Sequence, residues 1–222
     1  MFNLRKFDYK KEIFSISLIV ISLFLGVIFY KNFPAQVPSH WNINGEVDAY
    51  SGPFIAAFLL PIMMTAMYIL FLVIPYLDPK KEAYMEIDSV YPKFRDLILG
   101  FLFVLYILTG LNGLGYELNI GFYIPVMVGF MFMIIGILLK KVKMNWFMGI
   151  RTPWTLSSEY VWNKTNKMGG VVFTISGFLI AGTALVPNNF KIAFFIIAIA
   201  LIIFTLPIYS YYLYVQEKKQ KK

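Results

Sequence analysis

Residues 54–76 have the sequence FIAAFLLPIMMTAMYILFLVIPY, a run of apolar, aromatic and small residues without a charged side chain. This run is longer than the roughly 20 residues that an α-helix needs to cross a hydrocarbon core of about 30 Å. Lipid contains no water to hydrogen-bond the backbone, so such a run has to form a helix or a strand of a closed barrel, and barrel strands need only about half this length. The stretch therefore predicts a transmembrane helix.

Five further stretches have the same character, and they are residues 13–30, 97–116, 121–139, 170–186 and 192–214. The composition agrees, since 59% of the residues are hydrophobic and 14% are charged, whereas soluble domains have about 45–50% and about 25%. The first stretch is too long for the apolar core of a signal peptide, and no small-residue cleavage site follows it. We therefore predict an all-α, polytopic integral membrane protein with six transmembrane helices.

The distribution of positive charge predicts the orientation of these helices. All but two of the 20 Lys and Arg residues fall at the termini or in loops that six spans would leave on one side of the membrane. They are Arg5, Lys6, Lys10, Lys11, Lys80, Lys81, Lys93, Arg95, Lys140, Lys141, Lys143, Arg151, Lys164, Lys167, Lys218, Lys219, Lys221 and Lys222. The exceptions are Lys31 and Lys191. Because cytoplasmic loops are rich in Lys and Arg, we predict cytoplasmic N- and C-termini in the cell membrane. Contact with the lipid bilayer explains the basic total, so we predict no direct binding of nucleic acid.

The residues that most enzymes and coupled transporters need are scarce. The chain has no cysteine and one histidine, His40, so cysteine nucleophiles and the usual zinc ligand sets are excluded. We find no H-E-x-x-H, G-x-S-x-G or P-loop sequence, and we predict no enzyme activity, no metal site and no cofactor. No charged residue falls in the middle of a predicted span, which disfavours ion-coupled transport. A small-solute or ion transporter or channel with a site in broken helices remains the alternative.

Small residues form a stripe on the fifth predicted span, because they follow one another at steps of three and four residues. The stripe consists of Gly170, Thr174, Gly177, Ala181 and Ala184. A weaker face on the fourth span consists of Gly121, Gly129 and Gly136. Such residues let membrane helices approach closely, so we predict close helix contacts at both faces.

The first candidate site lies in residues 31–53, between the first two predicted spans. Pro34 and Pro38 favour extended backbone, and Asn44-Gly45 favours a tight turn, so we predict an ordered hairpin-like cap outside the cell. The candidate residues on this loop are Pro38, His40, Trp41, Asn42, Gly45 and Asp48.

Two features of this loop leave alternatives open. Trp41 and Pro38 could anchor a binding partner, as aromatic residues do in recognition surfaces, or Trp41 could be an interfacial tryptophan. His40 with Glu46 and Asp48 could bind a cation, although such residues in a turn-rich loop are more often hydrogen-bonding partners of one another.

The second candidate site lies in residues 140–169, between the fourth and fifth predicted spans. Trp146, Phe147 and Met148 precede Arg151, so we predict that this segment lies at the cytoplasmic membrane surface. We expect a short helix from about Thr155, which Thr155 or Ser157 would cap. The alternative is a structural elbow between two spans. The candidate residues are Asn145, Gly149, Arg151, Thr152, Pro153, Trp154 and Trp162.

Both loops resemble sequence elements of the SdpI family, bacterial membrane proteins of immunity and signal transduction. Residues 149–156, GIRTPWTL, with Asn145 before them and Trp162 after them, are similar to the signature of that family. Residues 38–48 resemble the P-x-H-W-N-x-x-G-x-x-D element that is often found ahead of the signature. One departure is that many relatives have Thr-His where this chain has Thr165-Asn166, so any role of an imidazole is absent there.

The resemblance implies a membrane immunity protein that gives resistance to a secreted toxic peptide. Some members of the family also act as receptors that hold a winged-helix autorepressor at the membrane. On this basis the outer loop would face the toxin peptide, and the cytoplasmic loop would contact the repressor protein. We also expect an N-terminal two-span unit (1–76), a cytoplasmic loop (77–96) and an SdpI-like four-span unit (97–222).

Overall fold

The computed structural model describes residues 9–80 and 82–220. Among the cations that we used for the orientation, five lie outside the described residues, namely Arg5, Lys6, Lys81, Lys221 and Lys222. The described chain is mostly helical, with one antiparallel pair of strands. The helices are α1 (Tyr9–Asn32), α2 (Pro53–Leu77), α3 (Ala83–Glu86), α4 (Tyr91–Gly113), α5 (Ile120–Leu139), α6 (Pro153–Ser157), α7 (Glu159–Gly182), α8 (Asn188–Ala200) and α9 (Leu206–Gln220), and the strands are β1 (Val37–Trp41) and β2 (Val47–Ser51).

Within the described residues, five helices are long and apolar enough to cross a membrane. They are α1, α2, α4, α5 and the joined helix Asn188–Gln220, in which a π-helical segment, Leu201–Thr205, connects α8 to α9. Pro207 lies two residues after this segment, and its missing N–H group explains why the regular hydrogen bonds are interrupted there. Helix α7 is 24 residues long, but its first three turns carry polar and basic residues, including Lys164 and Lys167. Its apolar part begins close to the start of the fifth predicted span.

The long helices form two groups that meet along one side. Helices α1, α2 and α4 pack on one another, while α7 packs along α5 and also contacts α8 and α9. The contact between the groups includes α4 with α5. An apolar cluster joins the groups near the C-terminal end of α5, where Trp162 packs with residues such as Phe71 and Leu138. The division into residues 1–76, 77–96 and 97–222 stays a prediction.

The closest contact between helices lies between α5 and α7. A Cβ atom on Gly129 would lie 2.5 Å from the carbonyl oxygen of Gly177, and one on Gly177 would lie 2.6 Å from that of Gly129. Gly136 and Gly170 face each other in the same way, with 2.7 Å in both directions. The predicted close contact of the small-residue stripe is therefore confirmed, and its partner is the glycine face of α5.

The prediction that Arg95 lies in a loop among the headgroup-facing cations is wrong. Helix α4 begins at Tyr91, so Arg95 lies inside the helix, and only 1% of its side chain is exposed. Its guanidinium donates hydrogen bonds to the carboxylates of Glu12 and Asp96 and to the carbonyl oxygen of Lys11. A buried cation is tolerated when such partners neutralise it. The sequence alone did not indicate that Glu12 of α1 would pair with Arg95 of α4.

Candidate functional site

The two candidate loops lie at opposite ends of the helix bundle. The hairpin end comprises β1 and β2, the end of α4, the start of α5, the end of α7 and the start of α8. The loop end comprises residues 78–80, 82–90 and 140–158 together with the end of α9.

The hairpin is ordered by its asparagine turn, as the sequence predicted. Strands β1 and β2 pair antiparallel, with Val37 opposite Ser51 and Trp41 opposite Val47. At the turn, Oδ1 of Asn42 accepts hydrogen bonds from the backbone N–H groups of Asn44 (2.9 Å) and Glu46 (3.1 Å). This side chain replaces the backbone partners that the tight turn leaves free, so Asn42 shapes the hairpin.

The polar side chains of the hairpin bond to one another across the strands. Nδ1 of His40 contacts Oδ1 of Asp48, and both side chains are well exposed. The carboxylate of Glu46 accepts a hydrogen bond from Nδ2 of Asn42 at 2.9 Å instead of joining His40. In the structure, His40, Glu46 and Asp48 therefore act as hydrogen-bonding residues of the hairpin, which is the second of the two interpretations.

The tip of the hairpin rests on the second helix group. Gly45 has φ +85°, and a Cβ atom there would lie 2.8 Å from Cα of Gly121 at the start of α5. Gly121 therefore contacts the hairpin, whereas the other glycines of its predicted face contact α7. At its base, Val37 is 1% exposed and packs against Gly113 of α4. The hairpin thus bridges the two groups of helices.

A cavity of about 570 Å³ lies beneath the hairpin, between the two groups. This volume falls within the range of pockets that hold small molecules. Of the six predicted site residues on the hairpin, Asp48 does not line the cavity. The five that do are Pro38, His40, Trp41, Asn42 and Gly45. The other walls come from α2, α4, α5, α7 and α8, and they are mainly apolar. Lys191 and Thr183 also line it, and no pattern in the sequence indicated that these distant residues would meet the hairpin.

At the loop end, Asn145 holds the first part of the signature loop together. This residue is fully buried, and its Oδ1 accepts hydrogen bonds from the N–H groups of Phe147 (2.8 Å) and Met148 (2.6 Å). Its Nδ2 donates to the carbonyl oxygens of Lys143 (2.8 Å) and Met148 (3.1 Å). Met148 is 5% exposed, so the prediction that it lies at the membrane surface is wrong, whereas Trp146 is 48% exposed.

Trp162 and Asn166 of α7 fix the second part of the loop. Nε1–H of Trp162 donates to the carbonyl oxygen of Val142 at 2.9 Å, and this tryptophan is fully buried. Oδ1 of Asn166 accepts a hydrogen bond from the N–H group of Ile150 at 2.9 Å. Gly149 has φ +104°, and a Cβ atom there would lie within 3.0 Å of both α7 side chains. A side chain at residue 149 is therefore excluded by conformation and by space.

A short helix, α6, begins near Thr155 as expected, but a second helix, α7, follows it, and the predicted caps, Thr155 and Ser157, are wrong. Thr152 caps α6: its hydroxyl accepts from the N–H group of Thr155, whose own hydroxyl accepts from the N–H group of Thr152. Pro153 occupies the first position of α6, where its missing N–H group costs nothing. Ser158 caps α7 and donates a hydrogen bond to Glu217. The sequence did not reveal this capping box of two threonines, because the usual capping box has Glu or Gln at the third helical position, where this chain has Thr155.

Arg151 and Trp154 have surroundings that differ from those of the other signature residues. Arg151 is exposed, and its guanidinium donates a hydrogen bond to the carbonyl oxygen of Trp146. The ring of Trp154 is half-buried, with its centroid 5.0 Å from that of Tyr211 on α9. These two side chains lie at the surface of the loop end, and Arg151 contacts the backbone of the exposed Trp146.

Sequence reasoning missed Asp78, which ties the end of α2 to the signature loop. Asp78 is 1% exposed and accepts hydrogen bonds from the hydroxyl of Tyr84 (2.9 Å) and from the N–H groups of Trp146 (2.9 Å) and Lys80 (2.7 Å). Burial, followed by this hydrogen bond to Asp78, raises the pKa of Tyr84 well above its ordinary value. No pattern in the sequence links Asp78 to Trp146, which is 68 residues away.

Both ends of the bundle fall within regions that are similar to known proteins. Residues 141–210, which include most of the signature loop, match the SdpI/YfhL protein family, and residues 17–65, which include the hairpin, match a domain of unknown function (DUF1648). The immunity protein SdpI of Bacillus subtilis (strain 168) is 32% identical over 206 residues, which covers 91% of this chain and 96% of that protein. No solved structure matches the chain.

Proposed function

Because the chain belongs to the SdpI/YfhL protein family, we propose that it is an immunity protein that protects its own cell from a secreted toxic peptide. The observation that carries this proposal is the 32% identity to the immunity protein SdpI over nearly the full length of both chains. The long apolar helices and this kinship make the chain a multi-pass protein of the cell membrane. The family is not a known enzyme family, and the proposed function needs no catalysis and no cofactor.

The proposed orientation has six crossings and both termini in the cytoplasm. The start of α5, the end of α7 and the start of α8 all line the cavity at the hairpin end, which supports a crossing by α7 between its two neighbours. Lysines 140, 141 and 143 lie at the opposite end, in agreement with the positive-inside rule. Since the chain has no cysteine, a single cysteine introduced at Lys191 or at Lys141 can be labelled cleanly. An impermeant thiol reagent added to intact cells should label Lys191→Cys and spare Lys141→Cys.

For the outer site we propose that the hairpin and the mouth of its cavity face the toxin. Trp41 supports this role, because it is partly exposed and lines the cavity, as expected of an aromatic anchor. His40 and Asp48 present an exposed polar pair beside it. Asn42 and Gly45 act indirectly, since their contacts shape the turn and seat it on α5.

For the inner site we propose that the loop end contacts a winged-helix repressor protein in those members of the family that signal. The contact would run through Arg151 and Trp154, whose side chains are accessible. The buried contacts of Asn145, Gly149 and Trp162 support a positioning role for these three residues. The same signature sequence can therefore contain both residues that shape the loop and residues that contact a partner.

Expression of the chain in a toxin-sensitive strain tests the function. We expect higher survival in the presence of a secreted toxin of this family than with an empty vector, at equal protein levels in the membrane. Unchanged survival against every related toxin would contradict the proposal. Trp41→Ala should lower survival, and Tyr50→Ala, at an exposed residue of β2 that does not line the cavity, is the matched control.

Small-solute or ion transport is the second candidate, and the cavity between two helix groups is the observation that favours it. Purified chain in liposomes distinguishes the two functions. Solute or ion flux that a cavity-lining substitution abolishes would favour transport, whereas survival of toxin-treated cells without any flux would favour immunity.

A further inference from the structure

The cavity beneath the hairpin extends about as deep as one leaflet of a bilayer. Its wall on α5 runs from Ile120, the first residue of the helix, to Val128. Its wall on α4 reaches Leu105, eight residues before the end of that helix. At 1.5 Å per residue, eight residues correspond to about 12 Å. Half of a hydrocarbon core is about 15 Å, so the cavity has the depth that an acyl chain of the hairpin-side leaflet occupies.

The cavity opens toward lipid as well as toward the hairpin. Ile55 and Leu59 of α2 and Phe195 of α8 line it, and these side chains are 54%, 52% and 47% exposed. Exposed apolar side chains on membrane-spanning helices contact acyl chains, because no water is present at that depth. An acyl chain can therefore enter from the side without crossing a polar surface.

One cation lies at the headgroup level of this cavity. Lys191 is in the first turn of α8, lines the cavity and is half-buried. It forms no ion pair or hydrogen bond with any residue that the structure describes. None of the described residues that line the cavity is acidic. A half-buried ammonium group beside apolar walls is favoured when an anion lies next to it, and a lipid headgroup supplies one at this depth.

We propose that the cavity binds one acyl chain of an anionic phospholipid from the hairpin-side leaflet, with the headgroup phosphate beside Lys191. A zwitterionic lipid fits less well, because its own cation would lie near the lysine. This inference rests on the location of the chain in the membrane and is independent of toxin immunity. The cavity would then be a lipid site that a peptide ligand has to share or displace.

Quenching of Trp41 by brominated lipids tests the proposal, since Trp41 lines the cavity and the other tryptophans, 146, 154 and 162, lie at the loop end. Detergent-solubilised chain is titrated with brominated phosphatidylglycerol or with brominated phosphatidylcholine. The signal of Trp41 is the fluorescence lost by the unchanged chain minus that lost by Trp41→Phe. We expect half-maximal quenching at an about fivefold lower concentration of the anionic lipid, the factor that one lysine near a headgroup contributes.

Two variants and one further ligand make the test specific. Lys191→Gln should abolish the fivefold preference, while Lys31→Gln, at the exposed end of α1 and not among the residues that line the cavity, should keep it. Val128→Phe fills the wall of the cavity and should weaken quenching by both lipids several-fold. Equal quenching by both lipids in the unchanged chain, or unaltered quenching in Val128→Phe, would overturn the proposal. Tighter quenching by a brominated free fatty acid than by the anionic phospholipid would overturn the assignment to a phospholipid.

Discussion

Replacing Asn145 with alanine should destabilise the loop end more than any other single truncation of an uncharged polar side chain there. The asparagine makes four hydrogen bonds of 2.6 to 3.1 Å, two as acceptor and two as donor. A hydrogen bond contributes about 1 kcal/mol net, and a buried partner left unsatisfied costs about 1–3 kcal/mol. Because Met148 loses partners for both its N–H and its carbonyl group, we expect the free energy of unfolding to fall by about 3–5 kcal/mol.

The free energy of unfolding can be measured in bicelles by titration with sodium dodecyl sulfate, with tryptophan fluorescence as the readout. Asn163→Ala is the matched control, because Asn163 is exposed on the first turns of α7 and makes none of these bonds. We expect the control to change the free energy by less than about 0.5 kcal/mol. If Asn145→Ala lost less than about 1 kcal/mol, the four-bond account of the loop would be wrong.

Three further substitutions test other contacts by the same titration. Gly177→Leu should cost at least about 3 kcal/mol, since a Cβ atom there meets backbone of α5 at 2.6 Å, whereas Gly100→Leu, where nothing lies within 4 Å, should be nearly neutral. Gly149→Ala should lower the free energy of unfolding more than Gly115→Ala, because both residues have positive φ (104° and 94°) but a Cβ atom clashes only at residue 149. Equal losses would mean that only backbone strain matters at residue 149. The raised pKa of Tyr84 means that its hydroxyl loses the proton less readily in the folded state than in the unfolded state. Its contribution to the free energy of unfolding is therefore fully present below pH 10.0 and is lost as the pH rises further. Tyr84→Phe should reduce that loss, and an unchanged pH dependence above 10.0 would contradict the assignment.

Features that depend on neighbours in the chain were predicted well from the sequence. Apolar runs long enough to cross a membrane indicate helices by themselves, and the observed bounds extend them at the ends, as in α1 and α2. The turn at Asn44 and Gly45 and the small-residue stripe on α7 are also local patterns. In each of these cases the pattern lies within one continuous segment of the chain, so a single sequence carries the signal.

Features that depend on distant residues could not be predicted. The burial of Arg95 requires Glu12 of another helix, and the role of Asp78 requires the backbone of Trp146. The cavity requires Lys191 to come beneath a hairpin that is far away in the chain. No periodicity or spacing encodes such meetings, because they follow from how whole helices pack. The predicted list of site residues therefore contained the hairpin wall of the cavity without its helical walls.

The proposed receptor role requires that binding at the hairpin end alters the loop end, and the α5–α7 pair is the unit that reaches both. Backbone contacts at Gly129 and Gly177 leave no room for these helices to shift separately, so they should move as one body against α1, α2 and α4. A toxin changes the loop end only if it binds one arrangement of the two groups more tightly than the other. Spin labels on the loop-end parts of α4 and α5 can measure this arrangement. A distance that toxin leaves unchanged, in a chain that still confers immunity, would separate protection from signalling and confine the repressor contact to a rigid surface around Arg151.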